Sequence, residues 1–284
     1  ERPESGVLNF KGEQHKEGSA AYMPDEFWQE YRPAEVRTTT TTMQNLMKRL
    51  RSSKLFYWAE QFVVLMVNGY IPTAKVSKFD IGPLNTIISG NSLEGLRLRL
   101  GGMTTVNMSR HCFARGYAAY GFRDKKFKYM GSLEYSFTPK KALDQEFPIH
   151  SLRLTHKYDV DKLAQHYLYT NQDNMFLTLR RHKDVRIQYL RTTRLEYRHE
   201  WYNHFSISLG IEHNIHEATQ YVSFVYADGT SRRDYTQAGF TAQLRYAPGE
   251  TFYQTRSYRI PINMDAPIIT LSQTYMPKGF LGSL

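Results

Sequence analysis

The sequence predicts an all-β protein, an antiparallel up-and-down arrangement of strands preceded by a short helical segment. Three observations lead there. From about residue 84 onward, apolar and polar residues alternate with period two in one segment after another, the pattern of a strand with two unlike faces. Turn chemistry separates these segments, as in the Asp228-Gly229 pair. Aromatic residues are abundant, with 21 Tyr, 16 Phe and 3 Trp in 284 residues, and aromatics favour strands.

Residues 1–40 are polar and irregular and close on the run Thr38–Thr42. Within them, "MPDEFWQEYRP" suits a turn of helix stopped by Pro33. Met43, Leu46, Met47 and Leu50 then recur at i, i+3, i+4 and i+7, with Lys48, Arg49 and Arg51 on other faces. That spacing predicts an amphipathic helix capped by Thr41 or Thr42. The segment "KLFYWAEQFVVLMVNGY" follows. Its apolar centre, Phe62 to Val67, suits either a buried helix or a strand, and helix is the preferred reading. An irregular and helical segment is therefore expected over 1–83, and a strand region over 84–284.

Glycines bracket the segment "NSLEGLRLRLGG", in which Leu96, Leu98 and Leu100 alternate with Arg97 and Arg99. In "FKYMGSLEYSF", Phe127, Tyr129, Leu133, Tyr135 and Phe137 share one face, with Lys128, Met130, Ser132, Glu134 and Ser136 on the other. The pattern continues through "SLRLTHKY", "NMFLTLR", "RLEYRHEWY", "FSISLGIEH", "YVSFVY", "AGFTAQLRY" and "PIITLSQTY". Some ten or eleven strands of about 8–11 residues are expected, joined by tight turns such as "RDKK" and "APGE" and by longer loops such as "TPKKALDQEFPIH".

A soluble sandwich and a membrane barrel both write this alternation, one with the apolar face inward and the other with it toward lipid. Three features favour the barrel. The strands are long, whereas sandwich strands run nearer 5–6 residues. Aromatics gather near strand ends, as at Tyr135/Phe137, Tyr197/Trp201 and Tyr246/Phe252. The polar face carries both signs of charge, as in Arg194, Glu196, Arg198 and Glu200, which can form ion-pair ladders across a wet lumen. No run of about 18 apolar residues occurs, so a membrane-crossing helix is not expected.

Lumen-facing positions are then Arg97, Arg99, Glu134, Arg194, Glu196, Arg198 and Glu200, and lipid-facing ones Leu96, Leu98, Leu100, Tyr129, Leu133, Tyr135, Ile207 and Leu209. The formal net charge is +10, but the arginines are spread through strands rather than gathered in a patch, which argues against nucleic acid. Neutralisation by Glu94, Glu134, Glu196 and Glu200 is the expected state of the lumen arginines. The alternative is a cationic pore, or a rim binding lipopolysaccharide phosphates.

Catalytic and cofactor chemistry finds little footing. Cys112 stands alone. His213 and His216 have metal spacing on a helix, yet lie at a strand end. Ser206 and Ser208 lie near His204 without a nucleophile elbow. Asp159, Asp161, Asp173 and Asp184 do not fit a calcium loop, and the glycines of 90–102 form no phosphate-binding motif. The expectation is a non-enzymatic protein with no cofactor and no metal.

The runs "NSLEGLRLRLGGMTT", "ARGYAAYGFRDKKFKYMGSLEYSF" and "LTHKYDVD", with "FWQEYRP", "NGYIP" and "FDIGP" before them in the same order, resemble a Bacteroidota outer-membrane β-barrel family of unknown function. Members typically carry a carboxypeptidase-regulatory-like β-domain ahead of the barrel. The resemblance covers roughly residues 25–165, and a weaker one links the early strands to the BamA-like surface-antigen superfamily. It implies a bacterial outer-membrane barrel, with outer-membrane lipid or lipopolysaccharide as partner and other outer-membrane or periplasmic proteins as further candidates. The regulatory-like domain is not in this chain, and the chain stops at "FLGSL" rather than on a closing Phe or Trp. The expectation is a partial barrel, larger in its complete form or completed by a partner, acting in transport or membrane assembly. A structural or surface-binding barrel without transport, or a soluble sandwich that binds ligands, is the alternative.

Overall fold

A computed structural model describes residues 45–47, 49–60, 69–74, 76–163, 186–226, 229–254, 259–262 and 267–283. The chain forms two compact units, Glu1–Phe62 and Val63–Leu284. In the first, residues 45–47, 49–52 and 54–60 are helical, as the leucine spacing predicts, with Leu46 and Leu50 exposed and Arg51 paired to Glu60. The expected caps Thr41 and Thr42, the "MPDEFWQEYRP" turn and the apolar run Phe62–Val67 lie outside the described residues.

The second unit is antiparallel sheet. Its strands are β1 (Ile71–Pro72), β2 (Phe79–Ile81), β3 (Ile88–Asn91), β4 (Gly95–Thr104), β5 (Cys112–Gly121), β6 (Phe127–Ser136), β7 (His150–Lys162) and β8 (Ile187–Glu200). There follow β9 (Phe205–Glu217), β10 (Phe224–Val225), β11 (Ser231–Arg232), β12 (Asp234–Tyr246), β13 (Phe252–Gln254), β14 (Arg259–Pro261) and β15 (Ile269–Tyr275). One eleven-stranded sheet runs β1-β2-β4-β5-β6-β7-β8-β9-β12-β15, with β3 also beside β4; β10–β11 and β13–β14 are separate hairpins. This is the up-and-down order of a barrel wall. Among the described residues no pairing joins β15 to the β1–β3 side, so the sheet is open, a partial barrel.

Strand sizes differ from the sequence estimate. Seven strands run 10–14 residues, β15 has seven, and the others two to four. The sheet also begins before residue 84, since β1 and β2 are too short to write a visible alternation. "YVSFVY" adds no strand to the main sheet: Phe224 and Val225 pair with Arg232 and Ser231 in a separate hairpin, and Val222 bridges to Thr219. "NMFLTLR" lies outside the described residues.

The two glycines that end the "GLRLRLGG" run have a packing reason. A Cβ on Gly102 would sit 2.4 Å from the Phe79 ring, and one on Gly101 2.9 Å from the Gly82 carbonyl. Side chains there would keep β2 from closing onto β4 at Phe79↔Thr104 and Ile81↔Gly102.

The sheet curls. Neighbouring strands lie about 4.8 Å apart, so side chains three strands apart meet only across a concave face. Arg97 of β4 meets Asp159 of β7 in this way, and the Tyr221 hydroxyl donates to the Ser92 carbonyl at 3.1 Å, bringing the segment after β9 to the turn before β4. The face carrying Arg97 and Asp159 is the inner face. The end bearing the β3–β4 and β5–β6 turns is called the upper end, and the end bearing the β6–β7 and β8–β9 connections the lower. A small apolar cluster, Leu93, Val160, Ile187 and Tyr189, sits at the upper end.

Candidate functional site

Alternation along β4 separates its side chains by exposure in the sense opposite to a soluble protein. Leu96, Leu98 and Leu100 are 52%, 42% and 68% exposed, whereas Arg97 and Arg99 are 2% and 9% exposed. The same inversion holds on β6, where Phe127, Tyr129, Leu133 and Tyr135 are exposed while Lys128, Ser132, Glu134 and Ser136 are buried. Burying charge and exposing leucine is costly in water and favourable against hydrocarbon.

Register makes the outer face continuous. Ala114, Leu133, Leu154, Leu195, Ile211, Phe240 and Tyr275 stand opposite one another across seven strands. Below this apolar row runs an aromatic one: Tyr135 packs on Phe137, Phe137 on His150, His150 on His199, His199 on Trp201 and Trp201 on Phe205. Above it, Tyr120 packs on Phe122 and Phe127, and Tyr129 on Tyr158. Leu209 is exposed and Ile207 half-buried on this outer face.

The inner face holds an ion network at the upper end. Arg97 donates to Asp159 through Nη1 at 2.6 Å and Nη2 at 3.0 Å, and its Nη1 lies 3.2 Å from Glu94 Oε2. The Tyr117 hydroxyl donates to Asp159, and the Arg99 guanidinium stacks 3.6 Å from the Tyr117 ring centroid. Lys128 Nζ lies 2.9 Å from Glu94 Oε1 and also pairs with Asp124, which accepts the Tyr189 hydroxyl at 2.8 Å. The Arg97, Glu94, Lys128 and Asp159 side chains are all but fully buried, so this part of the interior is packed rather than open.

Lower on the inner face the pairs vary, buried at Glu134 and Asp144 and partly solvated around Arg194. Arg153 pairs with Glu134, Arg115 with Asp144, Arg194 with Glu196 at 2.8 Å and Glu212 at 3.6 Å, and Arg198 lies 3.7 Å from Glu196. Glu200 accepts both guanidinium nitrogens of Arg259 at 2.8 and 3.0 Å. In the β6–β7 loop, Lys140 donates to the Glu146 and Pro148 carbonyls at 2.6 and 2.7 Å. Burial holds its ammonium pKa below the ordinary lysine value, against the pull of Glu146 and Glu200.

The chain matches no family model, no curated protein and no solved structure.

All four carboxylates expected to neutralise arginines do pair with basic residues. The structure adds Asp159, Asp124, Lys128, Tyr117 and Tyr189, which the sequence reading left out of the site. Asp159 has the parity of Arg153, Thr155 and Lys157, so extending "SLRLTHKY" by one residue would have placed it inward. Asp124 and Glu94 lie in turns, where alternation carries no signal. His213 and His216 fall on opposite faces of β9, His213 opposite Ala238 and His216 opposite Tyr235, so they do not converge on one ion. His216 instead stacks on Tyr235 and lies 2.9 Å from the Gln188 amide.

Proposed function

We propose that the chain is the wall of a bacterial outer-membrane β-barrel, a non-enzymatic component of transport or membrane assembly, related to the Bacteroidota barrel family that its "NSLEGLRLRLGG" region resembles. The observation that carries this reading is the inversion on β4 and β6, leucine and tyrosine outward, arginine, lysine and glutamate inward. The aromatic rows support it in dimension. Phe127 opens β6 and Phe137 directly follows it, about 34 Å apart for an extended chain rising about 3.4 Å per residue; a tilt of about 40° projects this to about 26 Å. A barrel's lipid-facing band is about 25 Å tall.

A structural or surface-binding barrel without transport is the second reading, favoured by the packed Glu94–Arg97–Asp159–Lys128 network. Detergent partitioning tests the membrane assignment: the protein should enter the detergent phase and show heat-modifiable mobility. A chain that stays soluble and monomeric without detergent returns the sandwich reading. Planar-bilayer conductance then separates transport, with discrete channel steps, from a silent structural barrel.

A further inference from the structure

Charge at the upper rim is sorted by sign. In the β5–β6 turn the one acid, Asp124, is taken up by Lys128 and the Tyr189 hydroxyl, while Arg123, Lys125 and Lys126 are exposed, Lys126 with its ammonium 3.8 Å from the Tyr189 ring centroid. The turn is well held: Lys125 N–H donates to the Gly121 carbonyl at 3.0 Å, Phe122 N–H to Leu96 and Arg123 N–H to Glu94, and the Arg123 guanidinium reaches the Ser92 carbonyl at 2.9 Å. The neighbouring β3–β4 turn follows the same rule, with Glu94 buried against Arg97 and Lys128. Further round, Arg186 before β8 and Arg232 and Arg233 before β12 are exposed too. Asp234 is the one exposed acid at this rim among the described residues.

The three cations of the β5–β6 turn stand just beyond the upper aromatics Tyr120, Phe122 and Phe127, and Arg232 lies 4.4 Å from the Tyr226 ring centroid. Basic turns beside interfacial aromatics are where lipid headgroups would lie if the apolar row faces acyl chains. The lower rim exposes fewer cations among the described residues, Lys78, Arg110 and Lys141, and none of them neighbours another in sequence. We propose that the upper rim binds phosphate-bearing membrane lipid, with Arg123, Lys125, Lys126, Arg232 and Arg233 engaging the headgroup anion; this rests on the membrane reading above. Arginine forks suit phosphate bidentately, and each Lys or Arg near an anionic surface adds about fivefold to binding.

The test is native mass spectrometry of the full chain ejected from nanodiscs of equal phosphatidylglycerol and phosphatidylcholine. The wild type should retain phosphatidylglycerol preferentially. Changing all five residues to Gln should lower that retention about tenfold or more, while Arg123→Lys with Arg232→Lys and Arg233→Lys should keep most of it. The lower-rim triple Lys78→Gln, Arg110→Gln, Lys141→Gln should lower it several-fold less than the five-residue set, since fewer cations are lost and they are scattered over three loops. A chain that inserts but retains both lipids equally overturns the rim assignment alone, as does equal loss in the two sets of variants. Displacement of phosphatidylglycerol by inorganic phosphate would also overturn it, making the rim a free-anion site. A chain that stays out of the nanodiscs overturns the membrane reading and the rim with it.

Discussion

Asp159→Asn is the perturbation that most directly probes the inner ion network. Asp159 accepts two nitrogens of Arg97 and the Tyr117 hydroxyl, and the Arg97 and Asp159 side chains are 3% and 4% exposed. Breaking one side of a buried pair costs about 3–5 kcal/mol, because the remaining charge stays out of water with no counter-ion. Here Glu94 Oε2 stays 3.2 Å from Arg97 Nη1, which places the loss near the low end, about 3 kcal/mol. Replacing both partners, as Arg97→Met with Asp159→Leu, strands no charge, since Glu94 keeps Lys128 at 2.9 Å. The double variant should therefore be less destabilised than the single. Glu212→Gln serves as the exposed control: its pair with Arg194 is 3.6 Å long and partly solvated, with an expected cost of about 0.5 kcal/mol. Urea unfolding in detergent micelles, followed by tryptophan fluorescence, reads all three. An Asp159→Asn loss below about 1 kcal/mol, or a double variant worse than the single, would refute the claim that this part of the interior is dry.

Three further outcomes follow from the same geometry. Leu154→Arg, in the middle of the outward row, should cost about 2–4 kcal/mol in a bilayer and stay within about 0.5 kcal/mol if that face meets water; unfolding from liposomes decides. Lys140 has its folded pKa depressed by burial, so the unfolded chain binds more protons and stability rises with pH between the folded value and the ordinary lysine value of about 10.4. That rise should be missing in Lys140→Met, as equilibrium unfolding at alkaline pH would show. Gly102→Val should detach β2 from β4, because its Cβ meets the Phe79 ring at 2.4 Å, and faster amide exchange at 79–81 is the readout.

Much of the fold was legible because lipid-type and lumen-type faces alternate residue by residue, and that signal is local. "FKYMGSLEYSF" and "GLRLRLGG" gave up their faces from spacing alone, and the structure exposes and buries their residues accordingly. Illegible parts share a different physics. Asp124 and Glu94 act from turns, where no periodicity reports direction, and their roles depend on Lys128 and Arg97 arriving from other strands. Asp159 was hidden because its partner Arg97 is 62 residues away and meets it only through curvature of the sheet. Strand lengths were underestimated because β8 runs on through Arg191 and Thr192, where an exposed arginine and threonines interrupt the apolar count.

The inner face is uneven, and the contrast between its dry and its solvated pairs bears on how a barrel built this way would work. At the upper end, Glu94, Arg97, Lys128 and Asp159 are satisfied by one another in a dry cluster, where exchanging a partner for a passing ion would first require desolvating that ion and breaking charge-assisted bonds. Midway along β8 and β9, Arg194 and Glu212 stand 3.6 Å apart and in contact with solvent, so water can exchange with this pair at little cost. A permeation path in such a barrel would therefore pass beside the Glu94–Arg97–Lys128–Asp159 cluster rather than through it. Neutralising Arg194 would then alter ion selectivity, whereas neutralising Arg97 would act on folding before it acted on conductance.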